Sequence, residues 1–231
     1  MKGDLREARG RAPVGDSGHG ALSPTLVAWL DEEALHGQTV VDVGTGTGRL
    51  ALHLAPRARK VIGLDTDAGA LVEARRQARR AGVANVTFVV ADAERTDYRA
   101  FGQVDLVAAH LCVSDAIIAR AGASLRTGGA LAFAAFHTDQ WQETGVVSRF
   151  AYAPERARTA LEGAGLCVER LHVEQDVTRF TSETEALAEV ASLRSRWEPD
   201  GRWAAWERFV AGGGRTLTRS RLVVLARRDA T

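Results

Sequence analysis

Three glycines at alternating positions, Gly44, Gly46 and Gly48, stand between an apolar run and a helical pattern. The apolar run, residues 40–43, predicts a buried strand, and the leucines after the glycines have helical spacing. Glycine lets backbone pass close to a ligand because no Cβ intervenes. The helix that follows offers unpaired N–H groups and a partial positive charge. This stretch therefore predicts a binding site for a small polar ligand.

Four polar residues, Asp65, Asp92, His110 and His137, each end or follow a later apolar run. The runs alternate with helical patterns and are apolar throughout, which predicts a parallel sheet covered on both faces. In such sheets, ligands lie beyond the carboxyl ends of the strands, near the switch in strand order. The candidate residues are therefore expected to converge on one edge of the sheet.

The alternation predicts a doubly wound α/β fold with a mostly parallel, seven-stranded sheet and helices on both faces, in one domain over residues 21–231. Strands are expected at residues 40–43, 61–65, 86–90, 104–109, 130–136, 166–177 and 221–226. Helices are expected from Pro24 towards Gly37, after Gly48, and at 68–81, 114–124 and 154–163.

Two helical patterns, at about 182–197 and 201–211, separate the last two predicted strands. A hairpin needs only a few residues there, so residues 181–213 are an insertion, expected on the ligand side as part of a substrate cap. Its apolar series has helical spacing, which favours a core over a substrate-binding box. That series comprises Trp203, Trp206, Phe209 and Val210.

An irregular loop, residues 138–153, carries Trp141, Phe150 and Tyr152 and is expected to complete the substrate cap. Residues 1–20 are rich in glycine and charge, with little apolar periodicity. Such a segment is expected to form a mobile arm.

Composition limits the classes of partner. The formal net charge of the 231 residues is +1, which argues against an electrostatic grip on bulk nucleic acid. The two cysteines are isolated, so neither a disulfide framework nor a metal site is expected. No apolar run reaches transmembrane length and no signal-peptide core is visible, so we expect a cytoplasmic protein without a membrane partner. The oligomeric state stays open.

The glycine spacing differs by one residue from the dinucleotide-binding fingerprint Gly-x-Gly-x-x-Gly. Its third glycine would fall on Arg49, whereas this chain has the glycine one position earlier. The spacing Asp42-x-Gly44-x-Gly46-x-Gly48 instead resembles the first motif of class I S-adenosylmethionine-dependent methyltransferases. Together with the acids after the next two strands, the resemblance covers roughly residues 38–136 and implies the Rossmann-like fold of that family.

The resemblance implies S-adenosylmethionine as cofactor. Asp65 resembles the acid that accepts hydrogen bonds from the ribose hydroxyls, and Asp92 resembles the acid that contacts adenine, with Ala93 leaving room for the ring. Asp42 could order the turn or meet the amino group of the ligand through water. Either of the first two acids could instead only cap the following helix. The cofactor-binding set implied is Asp42, Gly44, Thr45, Gly46, Gly48, Asp65, Thr66, Asp92, Ala93 and His110.

Methyl transfer needs alignment and exclusion of water, and it needs a base only when the nucleophile must first lose a proton. His110 and His137 are the candidate catalytic bases or substrate contacts. Each could instead form only local hydrogen bonds. Asp115 is a further candidate that fits better as a helix cap, and Cys112 fits better as small packing.

The chain lacks an Asn-Pro-Pro-Tyr type motif after the fourth strand, where amino-methylating nucleic-acid enzymes carry one. The layout, with helices between the last two strands, resembles that of small-molecule methyltransferases. The resemblance implies in-line transfer of the methyl group to an oxygen, nitrogen or carbon of a small molecule, and no nucleic acid partner is expected. Two alternatives stay open: an NAD(P)-dependent oxidoreductase and a non-catalytic S-adenosylmethionine-binding protein. An aminopropyl transferase would need paired acids after the fourth strand, and the first acid there is Asp115.

Overall fold

A computed structural model describes residues 21–229 of the chain. Within this range, strands β1 to β7 span Thr39–Val43, Lys60–Asp65, Val86–Val90, Val104–His110, Leu125–Phe136, Leu166–Arg179 and Thr216–Arg228. Helices α1 to α8 span Pro24–Glu32, Arg49–Leu54, Ala68–Arg80, Asp115–Ser124, Pro154–Gly163, Glu183–Glu189, Arg194–Trp197 and Arg202–Ala211. The predicted arm, residues 1–20, lies outside the described residues.

The seven strands form one sheet in the order β3-β2-β1-β4-β5-β7-β6. Strands β1 to β5 pair in parallel, and β7 is antiparallel to both β5 and β6. The chain winds outwards from β1 to β3 and then returns to β4 beside β1, so the switch in strand order lies between β1 and β4. The predicted doubly wound, mostly parallel architecture is confirmed.

Both faces of the sheet are buried under helices. On one face, Leu26 and Leu30 of α1 join apolar residues of α2 and α3 in a common core. On the other face, Ile117 and Ile118 of α4 join Leu161 of α5. The strands are therefore apolar on both sides, which is why their sequences read as continuous apolar runs.

Helix α1 begins as predicted. The Ser23 hydroxyl accepts a hydrogen bond from the Leu26 N–H at 3.1 Å, and Pro24 occupies the first helical position. The expected continuation towards Gly37 is wrong, because the helix ends at Glu32.

Two strands, β5 and β7, begin well before the predicted residues. The expected start of β5 at residue 130 is wrong: β5 begins at Leu125, which pairs with Val104, and the register shifts before the next pair. Gly128, at φ 73°, lies in the stretch that absorbs this irregularity. The expected start of β7 at residue 221 is also wrong, because β7 begins at Thr216 with the end of β6 as its partner.

The helical insertion between β6 and β7 is confirmed, and it contains α6, α7 and α8. Because β6 is antiparallel to β7 and β7 is antiparallel to β5, β6 ends at the same edge of the sheet as β5. The insertion therefore follows the carboxyl ends of the strands. Among residues 21–229, no helix is both long and apolar enough to cross a membrane.

Candidate functional site

The three glycines of the turn adopt left-handed backbone conformations for different reasons. A Cβ on Gly44 would lie 2.2 Å from the Cβ of Cys112, and a Cβ on Gly48 would lie 2.9 Å from Cζ of Phe88. These two positions are glycine because neighbouring residues pack against them. A Cβ on Gly46 would meet nothing within 4 Å. Gly46 is therefore the glycine whose backbone faces open space, with φ 52°.

Asp42 organises the turn from beneath. Its carboxylate is almost completely buried, and one oxygen, Oδ2, accepts hydrogen bonds from the Thr45 hydroxyl at 2.5 Å and the Ala51 N–H at 3.0 Å. Burial raises the pKa of this carboxyl to about 7. Of the two roles expected for Asp42, the structure supports the ordering of the turn.

Asp65 connects the turn to the end of β2. Its Oδ2 accepts the Gly46 N–H at 2.7 Å, and its Oδ1 accepts the Asp67 N–H at 2.9 Å. Each carboxylate oxygen can accept a second hydrogen bond, so capacity for ligand hydroxyls remains. The alternative that Asp65 only caps the next helix is wrong, because Asp67 is the N-cap of α3.

Asp92 lies at the end of β3 with an exposed side chain. Its Oδ1 accepts the Glu94 N–H at 2.9 Å, and its Oδ2 lies 3.4 Å from Nε of Arg95. These contacts stabilise a turn and not an α-helix. Asp92 thus orders the local backbone, and its carboxylate can still accept hydrogen bonds from the cavity beside it. Ala93 is adjacent and small.

Three adjoining cavities lie at the carboxyl edge. The acid cavity, about 330 Å³, is lined by residues that include Gly44, Asp65, Thr66, Asp92, Ala93 and His110. The turn cavity, about 100 Å³, is lined by residues that include Leu22, Asp42, Thr45, Gly46, Arg49 and His110. The aromatic cavity, about 250 Å³, is lined by Glu94, Leu111, Cys112, Val113, Ser114, Ile117, Ala135, Phe136 and Phe150.

The structure thus brings nine of the ten predicted cofactor residues to the acid and turn cavities. Gly48 is the exception, since it packs against Phe88 and Ala74 behind the turn. A glycine at this position allows that packing, and it allows the left-handed backbone conformation at the N-cap of α2.

His110 ends β4 and faces both the acid and the turn cavities. Its Nε2 accepts the Ser23 N–H at 3.1 Å, so the proton of the neutral ring resides on Nδ1. Burial, together with the charges of Arg221 and Arg49, lowers the pKa of His110 to about 4. A weakly basic ring with its lone pair engaged fits a ligand contact better than a general base.

His137 lies just beyond β5 and is buried. Its Nδ1 lies 3.1 Å from the Ser220 hydroxyl and 3.3 Å from the Asp139 N–H. It lines none of the three cavities described here. The geometry therefore favours local hydrogen bonding over the predicted catalytic role.

The aromatic residues of the 138–153 loop do not share one role, contrary to expectation. Trp141 packs into the core of the insertion, and Tyr152 is buried in the core of the sheet, where its hydroxyl donates to Asp115 at 2.6 Å. Only Phe150 of the three lines a cavity described here.

The expected cap role of Asp115 is also wrong, because Ser114 caps α4. The expected core role of the Trp203 series is confirmed.

Sequence reasoning missed Leu111, which lines both the acid and the aromatic cavities. Its φ is 58°, a conformation that non-glycine residues rarely adopt, and its N–H donates to the Ala134 carbonyl at 2.7 Å. Such outliers concentrate at functional sites. No residue pattern in the sequence marks this position, because leucine does not signal a left-handed backbone.

The match to a family of known proteins includes the glycine turn and the acids at the ends of β2 and β3. Residues 40–129 match the family model described as a methyltransferase domain. The ubiquinone biosynthesis O-methyltransferase of Acinetobacter baylyi is 36% identical over 88 residues, which are 37% of this chain and 37% of that enzyme. The chain thus spans well under half the length of this curated relative.

Two solved structures have a similar fold. A putative methyltransferase from Bacillus halodurans has a TM-score of 0.64 at 19% identity, covering 88% of this chain and 99% of that one. The [4+2]-cyclase SpnF has a TM-score of 0.62 at 22% identity, covering 90% and 81%. Residues 40–129, which contain the glycine motif, are thus similar to a methyltransferase domain, and the chain shares its fold with these solved structures.

Proposed function

We propose that this protein transfers the methyl group of S-adenosylmethionine to a small-molecule acceptor. The observation that carries the proposal is Asp65, whose two carboxylate oxygens are fixed by backbone N–H groups and still face the acid cavity. A carboxylate so placed suits the two adjacent hydroxyls of a ribose. The name of the curated relative supports the same activity.

The cavities suit the remaining parts of this cofactor. Asp92 would accept from the adenine amino group, and Ala93 leaves space beside the ring. The methionine part would lie in the turn cavity, along the open side of Gly46. Arg49 also lines that cavity and would balance the methionine carboxylate.

When bound, the cofactor supplies an electrophilic methyl group: the acceptor's lone pair forms the new bond, and the electron pair of the broken carbon–sulfur bond stays on sulfur. The protein's own part is positioning and exclusion of water. His110 presents a neutral ring whose Nδ1–H can donate to a ligand. His110 is too weak a base to remove a proton from the acceptor nucleophile.

We further infer that the insertion, residues 181–213, and the loop 138–153 cap the acceptor. Trp141 of the loop packs edge-on against Trp197 of the insertion, with ring centroids 4.9 Å apart. This contact ties the two segments together at the carboxyl edge. A cytoplasmic location and the absence of a nucleic acid partner stay predictions from composition.

Calorimetric titration with S-adenosylhomocysteine tests the cofactor assignment. Asp65→Ala should weaken binding at least about tenfold, roughly 1.4 kcal/mol, by removing the ribose acceptor. Because Asp65 also holds the turn, the titration is repeated with the 2′-deoxy analogue. If Asp65 binds the ribose, the analogue should bind more weakly than S-adenosylhomocysteine to the wild-type protein, and Asp65→Ala should shrink that difference.

Glu73→Ala is the matched control, since Glu73 is a carboxylate on α3 paired with Arg76 and away from the cavities. Equal affinities of Asp65→Ala and wild type would refute the ribose assignment. Binding of NADH in place of S-adenosylhomocysteine would instead support the oxidoreductase alternative.

A non-methylating role is the second candidate, and it is favoured by the fold likeness to a protein described as a [4+2]-cyclase and by the weak basicity of His110. The two candidates differ in whether S-adenosylmethionine is consumed. Release of S-adenosylhomocysteine in the presence of an acceptor would decide for the methyltransferase.

A further inference from the structure

The aromatic cavity shares one wall with the acid cavity. Leu111, Cys112, Ile117 and Glu94 line both of them. A molecule in the aromatic cavity would therefore be separated from the proposed cofactor only by the segment that ends β4. The family resemblance assigns this second cavity no role, and the cofactor residues identified above do not line it.

Most of the side chains that line the aromatic cavity are apolar. Phe136 and Phe150 contribute phenyl rings, and Val113, Ile117 and Ala135 contribute aliphatic groups. The lining contains no lysine, arginine or histidine, so a carboxylate or phosphate would find no charged partner in it. A volume of about 250 Å³ leaves room for one substituted ring but not for a large polycyclic molecule.

The polar side chains in the lining belong to Glu94 and Ser114. The Ser114 hydroxyl is engaged as a helix cap, accepting the Ile117 N–H at 3.2 Å. Glu94 lies at the boundary with the acid cavity, because it lines both. The one charge that a ligand would meet is therefore at the end nearest the proposed cofactor.

We propose that the aromatic cavity binds the methyl acceptor and that this acceptor is an uncharged monocyclic aromatic compound. Its ring lies between the two phenylalanines and Ile117, and its nucleophilic atom points towards Leu111 and Cys112. Flat rings gain from contact with aromatic side chains beyond the area that they bury. This inference rests on the proposed methyltransferase function.

The two phenylalanines hold this site differently. Phe136 is fixed from behind by Trp141, with ring centroids 5.5 Å apart at 44°. Phe150 lies in the loop at the mouth of the cavity, and 54% of its surface is exposed. An exposed apolar ring at a cavity mouth gains burial when a ligand arrives. Phe150 is therefore the residue expected to set acceptor specificity.

The test is a crystal structure of the full chain with S-adenosylhomocysteine, soaked with 4-bromophenol at millimolar concentration. We expect the bromine signal inside the aromatic cavity, next to Phe150. In titrations of the complex with S-adenosylhomocysteine, Phe150→Ala should weaken 4-bromophenol binding about fivefold, while S-adenosylhomocysteine affinity stays within about twofold. Val147→Ala is the matched control, an exposed apolar residue of the same loop outside the lining.

Three results would overturn the inference: no bromine signal in the cavity, adenine of S-adenosylhomocysteine occupying it, or equal 4-bromophenol affinity in Phe150→Ala and wild type. Each is distinct from failure of the proposed function, because S-adenosylhomocysteine would still bind with the Asp65 dependence described above. Loss of that binding in the wild-type protein would contradict the function itself.

Discussion

Asp42, which is buried, and His110, which is half-buried, are titratable residues on neighbouring strands whose pKa values shift in opposite directions. Burial disfavours the charged form of each, so the pKa of Asp42 rises to about 7 and that of His110 falls to about 4. Both pKa values thus differ from those that aspartate and histidine ordinarily have. Their effects on stability oppose one another.

Between about pH 4 and 7, folded Asp42 binds more protons than the unfolded chain, so its contribution to the free energy of unfolding falls as pH rises. Folded His110 binds fewer protons than the unfolded chain from about pH 4 to 6.5, so its contribution rises with pH. We predict that the two nearly cancel in the wild type. Each should be worth on the order of 2–4 kcal/mol across this window.

Urea unfolding at a series of pH values separates the two contributions. Relative to wild type, Asp42→Asn should gain stability as pH rises, because only the pH dependence due to His110 remains. His110→Gln should lose stability as pH rises, because only the pH dependence due to Asp42 remains. Asn can keep the acceptor for both Thr45 and Ala51, because both donate to one oxygen of Asp42. Parallel pH profiles for wild type and both variants would contradict the opposed shifts.

At the scale of single residues, the sequence predicted which positions come together better than it predicted why particular residue types occupy them. The motif placed Gly44, Gly46 and Gly48 at the site, yet two of them are glycine because Cys112 and Phe88 pack against them. Those partners come from β3 and from the segment after β4, far away in the chain. Local spacing cannot reveal such contacts, which exist only after the sheet has formed.

At the scale of elements, the insertion stands out because its core contains polar atoms without partners. Among the described residues, the buried side-chain N and O atoms that lack a hydrogen bond all lie in it or in the adjoining loop. They are Nε1 of Trp141, Trp203 and Trp206, Nε of Arg202 and Oε2 of Glu143. Each unpaired donor carries a desolvation cost of about 1–3 kcal/mol.

Trp206 gives a test of that cost. It is fully buried and packs against Trp197, Phe180 and Phe209. We predict that Trp206→Phe changes the free energy of unfolding by less than about 1 kcal/mol, because the lost contact area is offset by removal of an unpaired N–H. Denaturant unfolding followed by circular dichroism would measure this change.

Trp197→Phe is the control, since Trp197 is equally buried but its nitrogen is not among the unpaired atoms. It should cost more than Trp206→Phe, by about 1 kcal/mol or more. A larger loss in Trp206→Phe than in Trp197→Phe would show that the Trp206 nitrogen has a partner in solution.

The elements themselves were predictable where one local signal sufficed. Apolar β-branched runs gave β1 to β4 to within a residue, and the Ser23–Pro24 pair gave the start of α1. The first residues of β7, 216–220, are polar except for Leu217, and they become strand through pairing with β6. The aromatic cavity was likewise unpredictable, because its lining comes from four separate stretches of the chain.

At the scale of the whole molecule, the start of α1 ties distant parts of the sheet together. Ser23, fully buried, donates its N–H to His110 at the end of β4 and its hydroxyl to Glu174 of β6 at 2.6 Å. Glu174 also accepts the Thr25 N–H at 3.2 Å and contacts Arg221 of β7 at 3.4 Å. One carboxylate thus anchors α1 across the sheet and next to the turn cavity.

Removal of that carboxylate should loosen α1. We predict that Glu174→Ala speeds hydrogen exchange of the α1 amides at least about tenfold, equivalent to roughly 1.4 kcal/mol, because Ser23 and Arg221 lose their common partner. S-adenosylhomocysteine should also dissociate faster, since His110 borders the turn cavity. Glu169→Ala is the matched control, because Glu169 lies on the same strand and pairs with Arg227 instead. Unchanged α1 exchange in Glu174→Ala, measured by mass spectrometry, would show that the contacts of Glu174 are not needed to hold the helix in place.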